Sequence, residues 1–488
     1  MFSALSHCWQ RLKHSGRASR PLPSSRHAFR PSLEALEDRC VPAIWFVNSN
    51  ADDIMQGGTL RWAAAHAQNG DTIEILPTDN GSGRHIVLTH GELLLNQEVT
   101  IEAVGPAATI DGNNSSRIFE VSPRASVTLD NLFIVNGDAK AHAGFIANFD
   151  GDGGAILNEG WLTLDTCVVE NNGTNGDGRV NVAVKKGGGI YNYGPNAFLD
   201  MTRSRVEQNF ADIAGGGIYN NRATAIMDHT IMRNNSTNGA GGAIYNAVGT
   251  VQVDLFSVLL LNHAQKGGAI ATVDGKVEVS DTLLADNTAS VVGGAVYDQD
   301  SWVTIQFDCT LKDNHAVKAG GGIYNLAGGL FVTSSSLIHN TTDGNGGGID
   351  SFAGLVVNLL DCHLDKNSAG GVGGGIYDYF STVTVTDSHL DFNSALAGGG
   401  FYHQGGVLTV TDSDLVGNSA SFFGGGIAVV QGAVQVTGSQ LTLNSAPVGG
   451  GIFNSLGTLK VGTTQFMAAT PGNNIDGPFI DLGGNTFM

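Results

Sequence analysis

Residues 373–397 read GGGIYDYFSTVTVTDSHLDFNSALA, and residues 398–422 read GGGFYHQGGVLTVTDSDLVGNSASF. They are two copies of one sentence, set head to tail. Each opens on glycines, passes through a short apolar segment and a turn, alternates in strand fashion, and closes on an asparagine. Working outward, the apolar residue after the glycines recurs at Ile156, Ile190, Ile218, Ile244, Ile270, Val296, Ile323, Ile349, Ile376, Phe401, Ile427 and Ile452. The first interval is 34 residues and the others are 25–28. A period this regular defines a stacked architecture before any secondary structure is assigned.

Two further columns say how the copies stack. Three residues before each repeat asparagine stand Val169, Val206, Ile231, Leu259, Leu284, Leu311, Leu337, Leu364, Leu390, Leu415 and Leu441, all aliphatic and hence expected in a core. The asparagines read as Asn172, Asn209, Asn234, Asn262, Asn287, Asn314, Asn340, Asn367, Asn393, Asn418 and Asn444. A buried amide is costly unless paired, so coil upon coil these should form a hydrogen-bonded ladder. The glycines beside them permit positive φ and close backbone approach.

Period-two strands without helical periodicity predict an all-β, right-handed parallel β-helix, with about 12 regular coils after a few irregular ones. Leucine-rich repeats use another leucine spacing, and a propeller blade needs about 40 residues and four strands. Twelve coils at ~4.8 Å would span roughly 58 Å. The organisation reads as a basic leader, 1–43, an entry and cap, 44–85, the β-helix, 86–467, and a C-terminal cap, 468–488. Residues 59–68, TLRWAAAHAQ, are the capping helix candidate. Inserts at 138–152 and 173–186 should leave the stack as adjacent loops. Cys167, Cys309 and Cys362 fall in or beside a small inward column. Cys309 and Cys362 are two coils apart, beyond the ~7 Å reach of a disulfide, so buried free thiols are expected.

Composition narrows the function. Glycine supplies 69 of 488 residues, twice the usual share of about 7%. Hydrophobic residues at 42% keep the chain out of the disordered class. The formal net charge is -20, and the first 43 residues are themselves basic, which leaves a strongly acidic body. Such a body repels phosphates, so no nucleic-acid partner is expected. No run approaches the ~18 apolar residues of a membrane span.

The GGGIYN and LDFNSA elements resemble the GGA(I/L/V) and FxxN repeats of the polymorphic outer membrane protein family, and those of bacterial right-handed parallel β-helix repeat proteins. WFVNSNADDIMQGGTLRWAAAHAQNGDTIEI is similar to the entry region of many such proteins. The leader segment RPSLEALEDRCVPA is similar to that of planctomycete-type extracellular proteins. The resemblance implies an exported, extracellular or cell-surface protein with a structural, adhesive or glycan-binding role. The chain stops shortly after its last coil, whereas members of the outer membrane family end in a membrane β-barrel.

Two function classes follow. The first is a binding protein whose partners are polysaccharide or cell-surface components. Its candidate platform is the tyrosine column Tyr191, Tyr219, Tyr245, Tyr297, Tyr324, Tyr377 and Tyr402, whose bland counterpart is an aromatic ladder that strengthens the stack. The alternative is a polysaccharide lyase or glycoside hydrolase of the pectate-lyase-like type. Against it, no arginine follows Arg233, and the lysines of the later repeats, Lys266, Lys312 and Lys366 among them, show no distinctive spacing. No cofactor is required by either reading. The rungs DCHLDKN, DSHLDFN and DSDLVGN add a candidate calcium or zinc site from Asp361, His363, Asp365, Asp387, His389, Asp391 and Asp414. Carboxylates suit calcium and stacked imidazoles a transition metal, although a solvated acidic face would have the same sequence. FDGDGG at 149–154 lacks the distal glutamate of an EF-hand loop.

Overall fold

The computed structural model describes residues 42–139, 151–173, 185–467 and 474–488. The leader through Val41 and most of both inserts lie outside the described residues. Pro42–Met488 forms one compact unit.

That unit is a parallel β-solenoid of about 16 turns, because every strand pairs in parallel with its counterpart one repeat later. One coil shows how. Ile376–Tyr379 and Thr382–Thr386 lie in a 30-stranded sheet, His389–Asp391 in a 16-stranded sheet, and Ser394–Ala397 in a 9-stranded sheet. Alternation in TVTVT buries Val383 and Val385 and turns the threonines outward. Ile376 and Leu390 complete the inward set. Each such side chain contributes roughly 1.5–3 kcal/mol by leaving water. In Phe401–Thr411 and Ile427–Thr437 a single 11-residue strand replaces the usual two.

The glycine pair is a steric requirement. Gly346 has φ +67°, the left-handed region. A Cβ on its neighbour Gly347 would stand 2.3 Å from the carbonyl oxygen of Gly374, one coil on. Backbone passes so close to backbone there that no side chain fits.

The asparagine ladder is present, with one register correction. Asn340 Nδ2 donates to Leu311 O at 2.9 Å and to Asn367 Oδ1 at 3.0 Å, and its own Oδ1 accepts from Asn314 Nδ2 at 2.9 Å. In the coil where Asn234 was expected, Asn235 takes the rung, between Asn209 and Asn262. Asn234 instead adopts positive φ (55°) at the turn. The aliphatic column slips with it: Met232 is fully buried and Ile231 is exposed.

A second buried polar column, unforeseen in the sequence, runs along the first strand of each coil. It comprises Asn158, Asn192, Asn220, Asn246, Thr272, Asp298, Asn325, Ser351, Asp378 and His403, each essentially without solvent exposure. Amide hydrogens pass from Asn158 to Asn192, to Asn220 and to Asn246 at 2.7–2.8 Å. Further along, His403 Nδ1 lies 2.7 Å from Asp378 Oδ2, both wholly buried.

The helix spans Leu60–His66, with the Thr59 hydroxyl accepting from Trp62 N, and buries Leu60, Ala63 and Ala64. At the other end Ile475–Asp476, Ile480–Asp481 and Thr486–Phe487 pair in parallel with the preceding coil, forming an abbreviated turn. Cys167, Cys309 and Cys362 are buried free thiols. Burial pushes Cys167 up to about 12 and the other two up to about 11, which leaves all three unreactive at neutral pH.

Candidate functional site

Coil register, rather than sequence proximity, assembles the most site-like region. Trp161 opens a strand directly opposite Phe198 of the next coil, ring centroids 5.3 Å apart. It is 60% exposed, unusual for so large an apolar ring. Beside it a cleft of about 540 Å³ is lined by Pro123, Arg124, Glu159, Trp161, Tyr193 and Pro195, with Asn196 on its rim. Aromatic and proline faces with a few convergent polar groups are the usual makings of a small-molecule site.

Glu159 links the cleft to a charged cluster. Arg117, almost wholly buried, donates to Glu92 Oε2 at 2.8 Å and to the carbonyls of Asp152 and Gly153. Its Nη1 also lies 3.4 Å from Glu120 Oε2. Burial raises the Glu120 carboxyl, the charge of Glu92 adds to the shift, and Arg117 opposes it. Glu159 is likewise raised by burial against the pull of Arg117. Asp152, raised by burial too, has Lys186 Nζ at 3.6 Å. Glu120 occupies the tyrosine column, opposite Leu157 and two coils before Tyr191. A charge where the repeat normally places an aromatic was the legible signal; Trp161 and Tyr193 gave none, being 32 residues apart and joined only by register.

The seven tyrosines do point away from the core and do stack, in three runs. Tyr191, Tyr219 and Tyr245 follow at 5.2 and 4.9 Å, Tyr297 and Tyr324 at 5.9 Å, and Tyr377 and Tyr402 at 5.7 Å. Ala271 and Asp350 interrupt the column. The expectation of an open platform needs correcting, because Tyr191, Tyr297 and Tyr377 are buried and the other four are half-buried. Ala240, Val292 and Ala319, each just before a glycine pair, pack with Tyr245, Tyr297 and Tyr324 into a small second apolar strip.

The His/Asp patch is a flat stripe. His363 and His389 stack at 4.8 Å with planes 3° apart, and His389 Nδ1 is 3.5 Å from Asp414 Oδ2. Asp361 and Asp387 sit at left-handed turns, and Asp361 accepts from the Ser334 hydroxyl. Asp365 pairs in register with Asp391, which accepts from Val416 N. Columns at coil spacing along a sheet run side by side instead of converging. Among the described residues no three His, Cys, Asp or Glu side chains come together as a metal-binding group. The lysines considered as bases are also dispersed: Lys266 Nζ lies 4.8 Å from the Tyr297 ring centroid, Lys312 is in the 16-stranded sheet, and Lys366 is at a turn.

An acidic column runs along the same sheet, at the far end of the strand that Trp161 opens: Glu74, Glu102, Asp130 and Asp165, then, past Thr202, Asp228 and Asp254. Burial and then the neighbouring carboxylates raise Glu102 and Asp130, while Arg203 pairs with Asp165 at 2.7 Å.

A family model described as a right-handed beta helix region matches residues 268–443. A second, described as the Chlamydia polymorphic membrane protein repeat, matches residues 229–247. No curated protein matches the chain. With its coils and both matches in view, the chain folds as a right-handed parallel β-helix, similar over residues 268–443 to the right-handed beta helix region and over residues 229–247 to the polymorphic membrane protein repeat.

Proposed function

We propose that the protein is an exported β-helix that works outside the cell or on its surface, binding glycan in the cleft around Trp161. The observation that carries the reading is that ring, more than half exposed, in a cleft that Tyr193, Glu159, Arg124 and Asn196 also line. Sugar rings present apolar faces to aromatics and hydroxyls to polar rims, the two surfaces this cleft combines. The repeat's likeness to a polymorphic membrane protein supports the location. Among the described residues no helix is long and apolar enough to cross a membrane. The acidic column favours neutral or amino-bearing sugars over polyuronates.

Full-length protein on a glycan panel should retain neutral or amino sugars. Trp161→Ala should weaken retention at least tenfold, while Trp302→Ala, an exposed tryptophan of the same column five coils away, should leave it unchanged. Equal effects of the two changes, or no retained glycan, would overturn the assignment.

A polysaccharide-degrading activity is the second reading. It is favoured by Glu120 and Glu159, two carboxyls held above their usual range around one arginine next to the cleft. Release of reducing ends or unsaturated products from retained glycans, lost in Glu159→Gln, would establish it; retention without products leaves the binding reading alone.

A further inference from the structure

The second polar column contains one rung that does not balance. At three steps a side-chain donor from one coil meets an acceptor from the next beside a turn glycine. At Gly249, a Cβ added to the glycine would stand 2.4 Å from Asn220 Nδ2 and 2.8 Å from Asn246 Oδ1, and those two atoms are hydrogen-bonded at 2.8 Å. Gly275 is placed in the same way between Asn246 Nδ2 and Thr272 Oγ1, which bond at 3.2 Å. Gly354 lies between Asn325 Nδ2 and Ser351 Oγ, again bonded at 3.2 Å.

Gly328 repeats the arrangement with a different atom in the donor's place. There the added Cβ would stand 2.2 Å from Asp298 Oδ2 and 2.8 Å from Asn325 Oδ1. Asn325 Oδ1 already accepts from Gly328 N, and its Nδ2 is committed to Ser351. Its amide therefore cannot turn round to donate. Two oxygen acceptors are left around one point, in a place with no solvent exposure, and neither Asp298 oxygen has a hydrogen bond of ordinary geometry. A charged carboxylate buried this way is among the costlier arrangements in a protein interior.

We propose that Asp298 is a neutral carboxylic acid in the folded protein, its Oδ2–H donating to Asn325 Oδ1 where the other rungs use an amide or hydroxyl hydrogen. The middle of the solenoid thereby carries a proton-dependent rung, closed when Asp298 is protonated and loosened when it ionises. The surroundings allow this. The groups facing Asp298 from the adjoining coils and turn, Thr272, Asn325 and Ser301, are uncharged. The nearest charges, Asp300 on its own turn and Asp274 and Lys276 on the coil before, are exposed. Asp300 disfavours ionisation, and Lys276 is engaged with Glu278. Burial, the largest influence, carries the carboxyl from 3.8 up to about 7, with Ser301 offsetting part of the rise.

The sign follows from proton linkage. Between about pH 4 and 7 the folded state holds a proton that the unfolded chain has lost, so this group's contribution to stability falls as pH rises through that window. Asp298→Asn supplies a permanent donor and removes the dependence. Denaturation of the full chain and of Asp298→Asn should be compared from pH 5 to pH 8. The ratio of their unfolding constants should move toward the variant by up to about tenfold per pH unit until near pH 7, then level off. Asp298→Thr, patterned on Thr272, should behave similarly if the asparagine variant does not fold. Amide exchange at Gly328 and Ser301 in the unmodified protein gives a third readout, rising with pH beyond its intrinsic base dependence. Parallel pH curves for wild type and both variants would overturn the proposal, as would exchange that follows the intrinsic dependence alone.

Discussion

Asn340→Ala is expected to lower stability by about 3 kcal/mol or more and to open the neighbouring coils before the rest of the solenoid. The estimate counts groups left without partners. Asn314 N and Asn314 Nδ2 both lose Asn340 Oδ1, at 3.2 and 2.9 Å, and Leu311 O loses its donor. Each stranded buried group costs about 1–3 kcal/mol, and alanine returns nothing. Asn444 offers a milder comparison. Its Oδ1 accepts from Asn418 and its Nδ2 donates to Leu415 O, and among the described residues no further rung follows. Because a repeat array need not unfold in one step, local amide exchange at Asn314 is the more direct measurement and chemical denaturation the supporting one. Unchanged protection at Asn314 would show that the ladder is geometric rather than energetic.

Gly347→Ala should be at least as damaging, by about 3 kcal/mol or more, and should reduce the yield of folded protein. The added methyl would meet Gly374 O at 2.3 Å and Ser368 N at 2.6 Å, both backbone atoms of adjoining segments. Flexible side chains can move aside at modest cost, whereas here two coils would have to separate. The internal control is Gly57→Ala, where nothing lies within 4 Å of the new methyl and little change is expected. Thermal melts of the two variants should differ widely; similar melts would mean that the coils are less closely apposed than described.

These positions also show what the sequence could reveal. The glycine pairs and the Asn340-type column were legible because sterics and buried hydrogen bonding tolerate almost no substitution there. A single residue separated expectation from structure at Asn234 and Asn235, where two adjacent asparagines make the register ambiguous on paper and only the burial of Met232 resolves it. The column through Asp298 was hidden because its rule concerns donors and acceptors, not residue type, so Asn, Thr, Asp, Ser and His all serve in it. Tyrosine orientation followed from alternation, but its cover came from Ala240, Val292 and Ala319 in other parts of the coil. The cleft was beyond reach for a related reason. Trp161 and Tyr193 become neighbours only once the 34-residue interval between Ile156 and Ile190 is folded into a single turn.

The first asparagine ladder also has a direction, since from Asn172 to Asn418 each side-chain amide donates to the amide oxygen of the coil that follows it in sequence. Mechanical load makes that polarity concrete. Drawn out by its C-terminal end, the solenoid gives up its last coil first, while the one beneath keeps its own bonds to the coil before. Force would then fall in a sawtooth, each tooth releasing the 25–28 residues of one repeat. At about 3.3–3.6 Å per extended residue, that is roughly 90 Å of slack per rupture.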